Sequence, residues 1–387
     1  MKQVLYISYY EMVHIFKDKI LLLLIFFVPV FYASLCGAVY TAGILTGIPL
    51  AVVDLDDSVL SREVIKCFAN NPRFQIVEEI NTYPLLEEGM KKSAVRAGVV
   101  IPENFEKETA LHSGAEVLVV YDSSNLIWGY NIRKYTMETV NQFSAEHAAA
   151  YMAGLGLAKK EITNILDSVS SNTDVWYNPT FSYANFMLFG LIMLIIHQIC
   201  LLSASLTVTR EKENNSWLQF LCAPAPAWKI FLGKSLPYFL TGIFNYGLLI
   251  WFIAVFVHVR IEGSVLLILL LGLLYNIVIT CAGFYISLQA ADSLQATRYI
   301  MLLSVPFLMI SGYTWPQTHI PAFINAFARF LPFTWMAEGL RQVAVKNLGP
   351  EYLVPVILAL TLMSLAAVLP AASFTKRRKP PHLRADS

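Results

Sequence analysis

The sequence predicts an α-helical integral membrane protein with six transmembrane helices, both ends in the cytoplasm, and an inserted extracytoplasmic α/β domain. Three observations predict it. Apolar residues are gathered in long uncharged blocks, basic residues flank those blocks, and one long polar stretch after the first block alternates strand-like and helix-like patterns. Of 387 residues 56% are hydrophobic and only 14% are charged, with a mean hydropathy of +0.56. A soluble chain of this size needs more charge to keep its surface solvated. A bilayer core about 30 Å thick takes roughly 20 apolar residues per helix, which is the length of the blocks. The net charge of +1 gives no reason to expect a nucleic-acid partner. Five cysteines (Cys36, Cys67, Cys200, Cys222, Cys281) show no CxxC or metal-like spacing. Only Cys67 lies in the polar stretch, so that stretch holds no internal disulfide.

Residues 1–19 mix Tyr, Ile and Phe with Glu11, His14 and Lys17, a composition suited to a helix along the cytoplasmic interface. The first apolar block fills 20–45, and the lysines before it put the amino terminus inside. The block is too long, and lacks the following cleavage site, for a plain secretory signal. Further blocks run over 183–209, 236–257, 265–288, 299–315 and 352–374. Residues 258–264 make a tight external turn, and the basic tail 375–387, with Lys376 to Lys379, anchors the carboxyl terminus in the cytoplasm. Arg260, Arg329, Arg341 and Lys346 fall outside under this assignment, the last three in a longer loop where the charge rule weighs less.

The polar stretch, 48–180, reads as a folded extracytoplasmic domain. Strands are predicted at 50–53, 74–77, 97–101 and 116–121. Between them, helices are predicted at 59–69, after the cap residue Thr82, and after Pro102, with a long one at 129–153. Strands alternating with helices imply a small α/β domain. Asp54, Asp56 and Asp57 could hold a divalent cation, but turn and cap duties explain the same residues.

The segment 209–234 carries the most information. A charged run, Arg210, Glu211, Lys212 and Glu213, is followed by a short helix-like stretch with Trp217, Leu218, Phe220 and Leu221, a Pro-bearing turn, and an aliphatic run to Gly233 and Lys234. This resembles the first cytoplasmic loop of the type-2 ABC transporter permeases, with Asn214, Asn215 and Ser216 where that family usually has Gly-Thr. Residues 52–62 and 98–105 resemble the external domain of the subfamily with a large insertion after its first helix. Residues 311–316 and 331–341 resemble its last external segment. The resemblance covers essentially the whole chain.

The resemblance implies a bacterial inner-membrane permease subunit of an exporter of drugs, lipids or polysaccharides, working as a homo- or heterodimer. No Gly-x-x-x-x-Gly-Lys-Ser/Thr is present, so this chain binds no cofactor and a separate ATPase chain supplies ATP and Mg. The loop 210–234 is then the ATPase-coupling element. Its apolar residues dock in a groove on the ATPase, and Arg210, Glu211, Lys212 and Glu213 supply rim charge. An ordinary membrane-flanking loop is the other reading. The segment 317–348, broken by Pro321 and Pro332, is expected to form re-entrant or interfacial helices. Within it Glu338 and Arg341, three residues apart, can pair on one helix face, at the exit of the path or as a structural pair. His197, Gln198, Asn245 and Asn276 are the polar groups inside the spans, serving either a pathway or helix packing. A receptor or partner-docking protein using the α/β domain is the alternative function. A periplasmic adaptor is a further possible partner. No nucleophile–base, zinc or paired-carboxylate constellation suggests an enzyme.

Overall fold

The computed structural model describes residues 1–40, 45–111, 115–166, 176–178 and 182–373. The expected basic tail, the last residues of the first block and part of the stretch returning from the polar insertion lie outside the described residues. The chain divides into two compact units, Met1–Gly43 with Val175–Ser387, and Ile44–Asp174.

The first unit is helical, and among the described residues six helices are long and apolar enough to cross a membrane: Lys19–Tyr40, Tyr183–Glu213, Ala227–Val255, Val265–Gln289, Ser293–Ile310 and Pro350–Ala372, here spans 1 to 6. Their ends depart from the hydrophobic blocks in instructive ways. Span 2 continues past Thr209, so the charged run forms its last turn. Span 3 starts nine residues before the expected Leu236, because Lys234, which interrupts the apolar block, is buried and ion-paired within the helix. Span 5 starts at Ser293 under an Asp292 cap and stops at Ile310, before the left-handed Gly312 (φ 78°). The core is built on span 2, whose Leu188, Phe189 and Ile192 pack with Leu249, Ile268, Leu271, Phe333 and Leu353. The segment before span 6 forms helices Ala322–Ala328 and Pro332–Leu340 and a π-turn over Arg341–Val345.

The amino-terminal helix, Lys2–Lys17, buries Val4, Ser8, Glu11 and Ile15, one stripe at helical spacing. It leaves Leu5, Tyr6, Tyr9, Tyr10 and Phe16 exposed. The buried stripe runs against span 3. Gly233 permits that approach: a Cβ there would stand 2.7 Å from the Cβ of Ile7. Asp18 ends this helix and caps span 1, its carboxylate accepting from the amides of Ile20 (3.0 Å) and Leu21 (3.1 Å).

The second unit contains a four-stranded sheet in the order β2-β1-β3-β4, from β1 (Ile48–Asp54), β2 (Phe74–Ile76), β3 (Ala97–Ile101) and β4 (Leu118–Tyr121). β1 runs parallel to β2 and β3, and β4 is antiparallel to β3. Strand alternation sends Ile48 and Leu50 to one face, with Val64 and Phe68 of helix Val59–Asn70 and Ile132 and Tyr135 of helix Leu126–Gly154. Ala51 and Val53 face Leu86 on the other side. The acidic turn is used for backbone. Asp54 accepts from the amides of Asp56 and Asp57, Asp56 accepts from the amide of Glu106, and Ser58 forms a capping box with Ser61. Thr82 sits at the expected N-cap, but its side chain makes no cap bond there; Pro84 sets the first turn.

Candidate functional site

The ends of spans 2 and 3 and the amino-terminal helix meet in a cluster of paired charges. Glu11 accepts from Arg210 (2.7 Å), from Lys234 (2.9 Å) and from the hydroxyl of Tyr238 (3.0 Å). Lys234 also donates to Glu211 (2.7 Å), which takes a further bond from Ser216. The Lys234 side chain is 1% exposed and that of Glu11 5%. Charges so far from water persist only when paired, and here two acids meet two bases. Arg210 leaves Nη1 buried without a partner. His14, in the last turn of the amino-terminal helix, has its pKa lowered by burial and by Arg210.

The other two charges tie span 2 to spans 4 and 5. The Lys212 ammonium donates to the carbonyls of Ser287 (3.0 Å), Leu288 (2.9 Å) and Ala290 (2.6 Å). These are carbonyls at a helix carboxyl end, where backbone partners run out and the helix dipole favours a cation. Glu213 accepts from the amide of Ser293 (2.7 Å) at the start of span 5. All four charges of the expected rim therefore hold groups of this chain. The short helix Trp217–Cys222 follows. Trp217 packs against Val208, Phe231 and Phe284, and Phe220 lies under the Lys234 ammonium, 4.6 Å from its ring centre. Leu221 is half-buried, while Leu218 and Cys222 are exposed.

Polar side chains bond backbone carbonyls of neighbouring helices, two of them at proline gaps. Pro29 has no N–H for the carbonyl of Ile25 four residues back, and the Asn245 amide donates to that carbonyl at 2.9 Å. A π-turn over Leu23–Phe27 accompanies the gap. Pro237 likewise leaves the carbonyl of Gly233 open, and the Ser8 hydroxyl fills it at 2.9 Å. Asn276 donates to the carbonyl of Phe239 (2.7 Å). His197 binds the Tyr275 hydroxyl through Nδ1 (2.7 Å), stands edge-on to Phe333, and keeps a buried Nε2 with no partner. Gln198, one residue on, is half-buried.

The expected Glu338–Arg341 pair does not form. Glu338 is exposed and accepts from Gln342 (3.0 Å). Arg341 turns away to the carbonyls of Gly312 (3.2 Å) and Tyr313, over the Tyr313 ring. A guanidinium there satisfies two carbonyls at a tight left-handed turn, which the exposed carboxylate cannot reward. Among the described residues no group of three or more His, Cys, Asp or Glu side chains is placed to hold a metal ion. Sequence reasoning missed Ser8, Glu11 and Tyr238. The spacing of Ser8 and Glu11 with Val4 and Ile15 was the available signal.

The cluster joins the amino-terminal helix to spans 2 and 3, and Lys212 and Glu213 carry it to spans 4 and 5. The family model for ABC-2 family transporter proteins matches residues 19–372. The chain belongs to this family. It is an ABC transporter permease, a multi-pass transport subunit, and membership implies partnership with an ATPase subunit. Over 374 residues it is 25% identical to the inner membrane transport permease YhhJ of Escherichia coli strain K12, covering 95% of each chain. The probable multidrug ABC transporter permease YbhR of the same strain is 22% identical over 78% of this chain and 79% of its own. The linearmycin resistance permease protein LnrN of Bacillus subtilis strain 168 is 23% identical over 89% of this chain and 91% of its own.

Proposed function

We propose that this permease forms, as a dimer, the translocation path of a bacterial inner-membrane exporter for amphipathic, drug-like or lipid-like molecules. Both termini lie in the cytoplasm and the α/β unit lies outside. ATP and Mg bind on the separate ATPase chain. The names of YbhR and LnrN, multidrug and linearmycin resistance, support such a cargo.

The observation that carries the reading is the short helix Trp217–Cys222. It is held from behind by Trp217 and by the cation above Phe220, and it leaves Leu218 exposed. That side chain is a ready anchor for a groove on the ATPase. Motion there would pass through Glu211 and Lys234 to span 3 and through Glu11 to the amino-terminal helix. The exposed tyrosines of that helix suit a position at the lipid headgroups. His197, buried against Tyr275 and Phe333, serves helix packing, and helices 322–328 and 332–340 dip into the outer leaflet.

The test is affinity purification of the permease from its native membrane, with any bound ABC ATPase identified by mass spectrometry. The wild type retains the ATPase, and Leu218→Glu loses it while keeping the wild-type melting temperature. Retention by Leu218→Glu removes this helix from the coupling role; no ATPase with either protein removes the exporter reading.

A further inference from the structure

The second unit holds a cavity of about 500 Å³. Its origin is a mismatch of lengths. The helix Leu126–Gly154 has 29 residues, about 43 Å at 1.5 Å per residue. The longest strand of the sheet below has seven residues, about 23 Å. The buried positions of the helix, Gly129, Ile132, Tyr135, Thr136 and Thr139, all fall in its first half. Beyond Thr139 the same stripe continues through the half-buried Phe143 and His147 to the exposed Tyr151. The cavity opens there, closed from below by Phe68 and Phe105 of the two neighbouring helices.

Its chemistry is one-sided. Among the described residues no Asp, Glu, Lys or Arg lines it. The Thr139 hydroxyl is taken by the carbonyl of Tyr135 and the amide of Asn71, and that of Thr109 by the carbonyl of Phe105. Polar capacity is left at the rim, on the exposed Ser144 and on His147, which is stacked on Phe143. An apolar floor with a few polar groups at the edge, within the roughly 300–1,000 Å³ usual for small-molecule sites, suits an apolar ligand with a small polar end. We propose that this cavity binds the apolar chain of a single-chain amphiphile, with its head at Ser144 and His147. The proposal leans on the export reading only for the origin of that molecule.

Cys67 lines the cavity and Cys222 lies on the other unit, exposed. Both thiols report in one experiment on the full-length protein in phosphatidylcholine nanodiscs, without ATPase. Alkylation by N-ethylmaleimide is followed peptide by peptide as dansyl-undecanoic acid is added. With the probe about ten times above its Kd, mass action leaves the site free about a tenth of the time, so Cys67 alkylation slows about tenfold. Cys222 is unchanged, and amide exchange slows over residues 139–152. Ala148→Trp, which fills the cavity, abolishes the probe's effect on exchange. Equal slowing at both cysteines, unchanged exchange over 139–152, or an undiminished effect in Ala148→Trp overturns the proposal. So does protection by water-soluble dioctanoylphosphatidylcholine alone, which would make this a site for a two-chain bilayer lipid. Because no ATPase is present, either result leaves the Leu218 test to stand or fall separately.

Discussion

At the scale of single residues, the most exacting positions are those that complete another helix's backbone. Asn245→Leu leaves the Ile25 carbonyl buried without a donor, which costs about 1–3 kcal/mol. Thermal unfolding in nanodiscs should show the loss, and Pro29→Ala, which restores an N–H, should shrink it in a double-mutant cycle. A second residue-scale prediction concerns pH in the α/β unit. The Asp122 carboxyl is held below its usual pKa by the hydroxyl of Ser124, then by the Ser124 amide and by Arg96 at 2.6 Å. A depressed carboxylate stabilises the fold above its unfolded pKa, about 3.9, and that contribution disappears as pH falls through the lowered value. Asp122→Asn should therefore flatten the acid limb of stability against pH for this unit, read by amide exchange of β3 and β4 between pH 5 and acid conditions at about pH 2.

At the scale of elements, the connection between spans 3 and 4 is fixed by backbone contact. The Glu262 amide donates to the carbonyl of Ala344 (3.0 Å), and a Cβ on Gly263 would run into the carbonyl of Val343. Neither partner is a flexible side-chain end, so Gly263→Ala must displace the π-turn 341–345, at the roughly 1–3 kcal/mol of an overpacked site. A lowered melting temperature, together with faster trypsin cleavage after Arg341 and Lys346, would register it. Unchanged cleavage would mean that the connection, not the π-turn, gives way.

At the scale of the whole molecule, Glu11 joins stretches about two hundred residues apart. Glu11→Ala strands Arg210 and removes one of the two partners of Lys234. Breaking a buried pair costs about 3–5 kcal/mol, and the surviving Glu211 contact puts the expected loss at the lower end. The melting temperature should fall, and proteolysis should release the amino-terminal helix first. Loss of stability without that release would place the damage in span 3. This long-range wiring also marks where sequence reading stopped. Six hydrophobic blocks and a strand–helix alternation were legible because each depends on local composition and period, as β1 to β4 show. The start of span 3 was not, because Lys234 reads as a boundary until its carboxylates are known. The charged run Arg210 to Glu213 was legible as important, yet its partners Glu11, Ser287 and Ser293 lie on other elements, and no local pattern names them.

The two proline gaps have a consequence for how the chain is made. Span 1 leaves the ribosome more than two hundred residues before Asn245, so the Ile25 carbonyl must wait in the bilayer for a donor not yet translated. Span 3 in turn arrives with its Gly233 carbonyl open, and the group that closes it, Ser8, precedes it by 225 residues. Span 1 waits for span 3, and span 3 for the amino-terminal helix, so all three stay unfinished until span 3 docks, which offers quality control a handle on half-made copies. Removing residues 1–10 should lower the yield of membrane-inserted protein through the third span, far from the cut, and a carboxyl-terminal tag should spare it.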